Sequence, residues 1–296
     1  MARISIVIPV YHDWSTLNAC LECLARSTFK DIRVFIVDHG PERSPEVEQL
    51  MVPPSLDSHI LKGSTNLWWA GATNIGIRRA LKQQETDYIM LLNDDCCLNE
   101  EAISHLVECA DATQKSIIAP VQKEAGTNKI LVRTAYTAYL LGFPTVIPPT
   151  FRERNQGPSI SLTSMIAGGR GVLIPRSVFN TVGFLDEQKL PHYGADNDFY
   201  IRCKKAGYRL FVSDYAVVYV DSAQTTTASK VGNLSLRQFL ATLKNRKSHR
   251  NIPDLIQQFR KLYPIPGLFP LGVALNIARY FVIYLLMRSV FLFHHR

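Results

Sequence analysis

The chain has 296 residues, 47% hydrophobic and 20% charged with ordinary Gly and Pro content, which excludes a disordered, collagen-like or small disulfide-dense protein and describes one large globular domain with or without an appendage. Its formal charge of +8 is unevenly spread. From Val231 to Arg296 ten Lys or Arg stand against the single acid Asp254, so this segment carries +9 and the first 230 residues carry −1, a basic tail that points to an anionic partner such as a membrane surface or a nucleic acid.

In chain order, Ile4 to Val10 reads as a short apolar strand closed by Pro9, and Trp14 to Arg26 has apolar residues at helical spacing. The turn between them, Pro9-Val10-Tyr11-His12-Asp13, contains no glycine, which argues against the close pyrophosphate approach of a dinucleotide fold. Ile32 to Val37 is a second buried strand running into Asp38, His39 and Gly40, and Ser58 to Leu61 a third before the turn at Gly63 to Asn66. Gly71 to Leu81 reads as a helix, Tyr88 to Leu92 as a strand, Glu100 to Ala110 as a helix opened by Asn99, and Ser116 to Val121 as a strand. Lys123 to Ser159, with Pro144, Pro148, Pro149 and Pro158, has weak periodicity and reads as a variable loop region. Phe199 to Ala206 is helical, ended by Gly207, and a late strand, Ala216 to Val220, runs into Asp221. Such alternation predicts a parallel sheet covered on both faces, whose ligands collect at the strands' carboxyl ends, where Asp38 and Asp95 fall.

The six cysteines (Cys20, Cys23, Cys96, Cys97, Cys109, Cys203) show no disulfide framework, and the N-terminus lacks a signal-type apolar stretch. A reducing cytoplasm is the compartment expected. The C-x-x-C spacing of Cys20 and Cys23 has no second pair for zinc and predicts simple burial.

The chemistry centres on Asn93-Asp94-Asp95, which put two adjacent carboxylates at the open end of a buried strand. Hard divalent cations take oxygen ligands and share the remaining positions with phosphate and water, so the pair suits a metal-bound diphosphate. The same turn also reads as an ordinary way to leave a strand and cap a helix. Asp196 and Asp198 carry a similar double reading, as helix caps or as active-site acids.

Taken together these segments resemble family 2 glycosyltransferases, nucleotide-sugar enzymes of the GT-A fold, and among them bacterial rhamnosyl- and galactofuranosyl-type surface-polysaccharide transferases. Ile4 through Tyr11 resembles the family's opening strand, Val37 to Gly40 its Val-Asp stretch, Asn66 through Asn74 its donor loop, and Leu91 to Asp95 the metal motif called DXD. Gly168 to Gly171, Val182 to Glu187 and Asp196 to Arg202 are similar to its later segments, in order, over roughly residues 3 to 222. The resemblance implies that Asp38 hydrogen-bonds the nucleobase, Asp94 approaches the ribose or diphosphate, Asp95 ligates Mg²⁺ or Mn²⁺, and Asp196 is the catalytic base. It places Pro9, Val10, Tyr11, Asn66, Trp69, Asn74, Asn93, Gly169 and Arg170 at the donor, and His192, Tyr193 and Asp198 at the acceptor. Trp68 and Trp69 read either as packing or as a wall against the sugar or base. Three positions depart from the pattern: Asn93 replaces the first Asp of the metal motif, Ala195 replaces the Glu before the base, and Asp221 stands where many members have a metal-binding His. Asp221 is taken as its substitute, since a carboxylate suits the same cations.

In the tail, Leu234 to Lys244 and Pro253 to Leu262 read as helices, the first ending in the cluster Lys244, Arg246, Lys247, His249 and Arg250. Leu268 to Phe293 is long enough to span a bilayer, but Arg279 lies mid-run, at an insertion cost of ~2.5–3.5 kcal/mol. At 100° per residue Asn276, Arg279, Tyr280, Tyr284 and Arg288 share one half of the helix. The preferred reading is a helix lying in the membrane interface with the basic cluster on anionic headgroups; a core or homo-oligomer helix and a true span are the alternatives. No nucleic-acid module accompanies the charge, so nucleic acid is not an expected partner.

The sequence thus predicts an α/β, GT-A (Rossmann-like), mostly parallel sheet flanked by helices over residues 1–230, and a basic, amphipathic helical tail over 231–296. The function implied is an inverting transferase moving a sugar from a UDP- or dTDP-sugar to a growing surface glycan, such as an O-antigen, or a polyprenyl-linked acceptor, peripherally on the inner face of the cell membrane. The alternative is a catalytically decayed relative that binds glycans or acts as a scaffold.

Overall fold

The computed structural model describes residues 2–11, 14–41, 49–114, 116–149, 160–221 and 231–294. His12 and Asp13, the part of the predicted variable loop from 150 to 159, and the predicted domain boundary at 222–230 lie outside the described residues. Four strands come first: β1 (Ile4–Val10), β2 (Ile32–Asp38), β3 (Asp57–Lys62) and β4 (Tyr88–Leu91), with helices α1 (Trp14–Ala25) and α2 (Trp68–Leu81) between them. They pair in parallel in the order β3-β2-β1-β4. The sheet continues through β11 (Val172–Pro175), antiparallel to β4, then β6 (Ile117–Glu124), β12 (Leu210–Val220), parallel to β6, and β10 (Ile160–Thr163). Short β5 (Cys96–Leu98) pairs with β12 and β7 (Ile130–Val132) with β6, while β8 (Tyr136–Ala138) and β9 (Phe143–Val146) form a separate two-stranded ribbon. The weak periodicity after residue 123 is therefore that of strands too short to show one.

Strand β1 explains why the sheet is central: every residue in it is buried. Ile4, Ile6, Ile8 and Val10 pack with Leu17 and Leu21 of α1 and Ile103 and Leu106 of α3 (Ala102–Ala112). Val7 packs in the other layer with Ala70 and Ile77 of α2 and Phe199 of α5 (Ala195–Lys205). This alternation between two covered faces is what continuous apolar strands require. A Cβ on Gly76 would sit 2.3 Å from Val7 Cγ1, so only glycine lets α2 lie this close to β1.

Helix boundaries differ from the sequence pattern at two informative places. Asn99 does not open α3 with its side chain; its Oδ1 accepts from Val217 N at 2.8 Å and ties that helix's approach to β12. Helix α5 begins four residues earlier than its apolar pattern, capped by Gly194 at φ +87°, so neither Asp196 nor Asp198 is the cap and both lie in the first turn. Gly207, at φ +92°, ends it. A third finding overturns the absence of disulfides: Cys23 on α1 is bonded to Cys97 on β5. Two cysteines 74 positions apart carry no local spacing signal, and tertiary packing alone brings them together. Cys20 is buried and free, as its spacing predicted.

After residue 231 come α6 (Leu236–Thr242), α7 (Ile252–Leu262) and α8 (Phe269–His294), with a short α4 (Arg176–Val182) earlier in the chain. The tail helices build a third core from Phe239, Leu255, Phe259, Tyr263, Tyr280 and Tyr284, closed by Tyr139 of the sheet domain. Phe239 stacks on Tyr284 at 4.3 Å. The polar stripe of α8 faces inward: Asn276 Nδ2 donates to Gly142 O at 2.6 Å, the Tyr280 hydroxyl to His249 O at 3.1 Å, the Tyr284 hydroxyl to Leu234 O at 3.1 Å, and Arg288 Nη1 to Gly232 O at 3.2 Å. Its apolar side is left outside, with Leu271, Val282, Leu285, Leu286 and Val290 each more than half exposed.

Candidate active site

A cleft of about 810 Å³ opens at the carboxyl edge of the parallel strands. Pro9 is near the end of β1 and Tyr11 follows it, His39 follows β2, and Asn93, Asp94 and Asp95 follow β4, all on the cleft wall. Trp68 and Trp69 at the start of α2 and the turn Gly168-Gly169-Arg170 line the same cleft. Trp68 holds φ +53° and ψ −170°, a conformation that non-glycine residues adopt only where the surroundings impose it. Its ring is flanked by His192 at 5.8 Å and by the Arg246 guanidinium at 5.4 Å.

At the acidic end, Trp69 Nε1 donates to Asn93 Oδ1 at 3.0 Å, so the amide departing from the metal motif is the acceptor for an indole. Asp95 Oδ1 accepts from Cys96 Sγ at 3.3 Å. Val220 pairs with Cys96 in antiparallel register, which brings Asp221 to the level of Asp95, exposed at the strand end. No group of three His, Cys, Asp or Glu side chains able to hold a metal is assembled among the described residues. A magnesium-type cation needs only one or two protein carboxylates when diphosphate oxygens and water fill the remaining positions, and the hard oxygen donors at this edge fit such a shared site.

Also on the cleft wall, Asp196 Oδ2 accepts from Gly168 N at 3.0 Å. The Tyr200 hydroxyl donates to Gly168 O at 3.1 Å and pins the same glycine, which sits at φ +81°. Burial pushes the Asp196 carboxyl above its ordinary value, against backbone N–H groups and the Arg170 charge that pull it down. Arg170 Nη1 donates to Gln122 Oε1 at 3.1 Å and Gln122 Nε2 to Ala167 O at 2.7 Å, while Arg170 Nε is buried without a hydrogen-bond partner. Burial, reinforced by the neighbouring positive groups, pushes His192 down to about 4, so its ring is neutral near pH 7. It meets Tyr193 edge-on at 4.5 Å.

Residues 5–183 match the family model described as glycosyl transferase family 2. The chain belongs to glycosyl transferase family 2. This family 2 chain is 28% identical over 149 residues to the low-salt glycan biosynthesis hexosyltransferase Agl10 of Haloferax volcanii, covering 46% of the chain and 43% of that protein. It is 24% identical over 182 residues to an uncharacterized glycosyltransferase of Haemophilus influenzae, covering 62% and 56%. The matches thus span about half the length of these curated relatives. Its fold resembles the crystal structure of GalNAc-T7 with UDP, GalNAc and Mn²⁺ (TM-score 0.61, 16% identity, 74% of this chain and 43% of that one). It also resembles S. aureus TarS 1-349 in complex with UDP-GlcNAc (TM-score 0.52, 12% identity, 95% and 73%). A GT-A fold with a mostly parallel central sheet is thereby shown.

Several residues expected at the ligands of this family 2 site do other work. Asn74 is fully buried; its Nδ2 donates to Leu185 O at 2.9 Å and Glu187 Oε2 at 2.8 Å, and its Oδ1 accepts from Leu185 N, so it clamps a loop instead of touching a donor. Asn66 is exposed and off the cleft wall, and Val10 is buried, its carbonyl holding His39 N at 3.0 Å. Asp38 stands at the expected edge, but its Oδ2 pairs with Lys62 Nζ at 2.7 Å, and His39 lines the cleft in its place. Asp198 is fully buried between Arg202 Nε at 2.9 Å and Lys261 Nζ at 3.0 Å, which removes it from any acceptor. Sequence reading missed His39 and Gln122, and it missed the tail's share of the cleft, where Asn245, Lys247, Ser248 and His249 form a wall. Lys247 Nζ lies 4.7 Å from the Tyr11 ring, Arg246 pairs with Asp254 at 3.4 Å, and Arg250 is buried. Of the basic cluster read as a headgroup anchor, Arg246 and Lys247 thus reach rings at the cleft and Arg250 is buried, while Lys244, Arg246 and Lys247 keep exposed side chains.

Proposed function

We propose that this chain is an inverting glycosyltransferase that moves one sugar from a UDP- or dTDP-sugar to a hydroxyl of a growing cell-surface glycan or polyprenyl-linked acceptor. The observation that carries the reading is Asp196, fixed by Gly168 N on the wall of the same cleft that Asp94 and Asp95 line. Asp196 takes the proton of the acceptor hydroxyl as its oxygen bonds to the anomeric carbon. The bond from that carbon to the diphosphate breaks, and the nucleoside diphosphate leaves on the far face, which inverts the centre. A positioned carboxylate of raised affinity for protons suits this step, and such a group supplies ~10²–10⁴ in rate. Tyr11, Trp68 and Trp69 offer aromatic faces to base or sugar, and Arg170 and Lys247 offer positive charge to the diphosphate. Asp95, with Asp221 at its level, would hold Mg²⁺ or Mn²⁺, which when bound offsets charge on the departing diphosphate. The alternative, a decayed relative acting as a scaffold, rests on Asn93 and Ala195; that Asn93 accepts from Trp69 and Ala195 is buried in the core supports the transferase reading.

The outward apolar side of α8 favours peripheral attachment to the inner face of the cell membrane. By length and composition alone, the segment Pro266–Phe293 is apolar enough to cross a bilayer. Its polar stripe, however, is bound to the protein along its length.

Thermal stabilisation by UDP, dTDP, GDP and CMP, each with Mn²⁺ and with EDTA, tests the donor assignment, because a ligand bound only by the native state raises the melting temperature. A Mn²⁺-dependent rise with UDP or dTDP is expected. No rise with any nucleotide would remove the transferase reading.

A further inference from the structure

Strand β6 buries a single amide among its apolar residues: Gln122 is 3% exposed, yet it borders the cleft. Both ends of that amide are engaged. Its Nε2 donates to Ala167 O at 2.7 Å and its Oε1 accepts from Arg170 Nη1 at 3.1 Å, so one side chain spans the turn from Ala167 to Arg170. The backbone of that turn has other anchors. Gly168 N is held by Asp196 and Gly168 O by the Tyr200 hydroxyl, and Gly171 N donates to Leu91 O at 2.8 Å. A Cβ on Gly169 would lie 2.7 Å from the Trp69 ring and 3.4 Å from Leu91 Cβ, and Trp69 in turn donates to Asn93. The turn therefore packs directly beside the strand end that carries Asp94 and Asp95.

The Arg170 guanidinium is held by much less. Its bond to Gln122 is the one hydrogen bond it makes among the described residues, and its Nε is buried without a partner. A buried amide in an apolar strand costs stability unless its polar atoms are paired, and the backbone anchors above do not need the Oε1 end. What that end does is fix the plane of a guanidinium on the cleft wall. A guanidinium fork matches phosphate oxygens in geometry when its plane is set in advance. We propose that Gln122 is a positioning residue for the donor: it aims the Arg170 guanidinium at the diphosphate and leaves Nη2 to donate to phosphate oxygens. The inference rests on the reading of this cleft as a nucleotide-sugar site.

The test titrates the full chain by calorimetry, in saturating Mn²⁺, with UDP and dTDP, with uridine and thymidine as competitors, and with inorganic pyrophosphate. Arg170→Gln is expected to lose about tenfold or more in affinity for the nucleoside diphosphate and to keep nucleoside affinity within about twofold. Gln122→Met keeps the length of the side chain and removes its amide, and it should lose a comparable share of the diphosphate affinity alone. The double variant should lose no more than Arg170→Gln, because residues acting through one group do not add. Wild-type diphosphate affinity in Gln122→Met, equal losses for diphosphate and nucleoside, or additive losses in the double variant overturns the proposal. Should Gln122→Met fail to fold, Arg170→Lys decides: it keeps the charge but not the fork that Gln122 holds, and a variant binding as tightly as wild type overturns the proposal. If neither UDP nor dTDP binds while pyrophosphate binds and weakens in Gln122→Met, the donor reading fails and the positioning of Arg170 stands. Binding of none of the three overturns both.

Discussion

The Gly168 N–H meets Asp196 Oδ2 at 3.0 Å, so the orientation of the proposed base is set by a turn 28 residues upstream. An amide oxygen accepts that bond as well as a carboxylate does, so Asp196→Asn preserves the turn. It should lower transfer by about 10²–10⁴ while leaving nucleotide affinity within about twofold. The folded carboxyl has a raised pKa, so its contribution to stability is full below its unfolded value and is lost as pH rises through the folded one. At neutral pH Asp196→Asn should therefore melt no lower than wild type. A variant as active as wild type refutes the assignment.

The acid side of the stability curve belongs to other groups. His192 and His249 are both held down to about 4 from 6.5, by burial first and then by neighbouring cations. Between those values the unfolded chain binds protons that the folded one does not, so stability present above pH 6.5 is lost as pH falls toward 4. Melting temperature should fall over that window, and His192→Gln should flatten the fall. Assigned His192 or His249 imidazole resonances titrating near 6.5 in the folded protein would contradict the burial argument.

Asn93 accepts the Trp69 indole N–H at 3.0 Å, and a Cβ on the adjoining Gly169 would lie 2.7 Å from the same indole. Asn93→Ala leaves that donor unpaired at a cost of about 1 kcal/mol and frees the ring to drift from the cleft. Asn93→Asp keeps the acceptor and adds a third carboxylate beside Asp94 and Asp95. It should lower the Mn²⁺ concentration needed for nucleotide stabilisation, and Asn93→Ala should not. Equal Mn²⁺ dependence in both variants would place the cation elsewhere.

Much of this fold was legible because β1, β2 and β4 are continuous apolar runs between punctuated turns, and the acidic edge followed from where those runs end. Backbone position, however, does not fix side-chain direction. Asp38 and Asn74 occupy the expected stretches yet turn to Lys62 and Glu187, and Asp198 turns to Arg202 and Lys261. Lys247 and His249 join the cleft only through the tertiary docking of the tail, with Lys247 O accepting from the Tyr193 hydroxyl 54 residues away in sequence. The polar stripe of α8 was visible as a periodicity, but its burial against the protein was not, since a periodicity does not say which side is wet.

The Cys23–Cys97 bond closes a 74-residue separation and ties α1 to the residue pair that follows Asp95. By loop entropy such a link adds about 2–4 kcal/mol. Reduction, or Cys97→Ser, should lower the melting temperature accordingly, and the unreduced, denatured chain should show four thiols, the number of free cysteines among the described residues. Reducing compartments remove such bonds, so thiol trapping in cells reads the compartment directly. Six reactive thiols in a freshly trapped sample would mean the pair is held reduced where the enzyme works.

The proposed membrane attachment can be tested separately on the two halves of the tail. The inward stripe of α8 is engaged by Gly142, His249, Leu234 and Gly232, while Leu286 and Val290 are 63% and 52% exposed one turn apart. Burying each in the interface gains about 1.5–3 kcal/mol. The pair Leu286→Asp and Val290→Asp should therefore weaken sedimentation with phosphatidylglycerol-containing liposomes by well over tenfold, without lowering the melting temperature. Arg246→Glu with Lys247→Glu should behave oppositely. Those cations sit against Trp68 and Tyr11 at the cleft, so the charge reversal should weaken nucleotide binding and leave most liposome binding intact. If the basic pair releases the protein and the apolar pair does not, the attachment is electrostatic through the loop before α7 and the exposed face of α8 has another occupant.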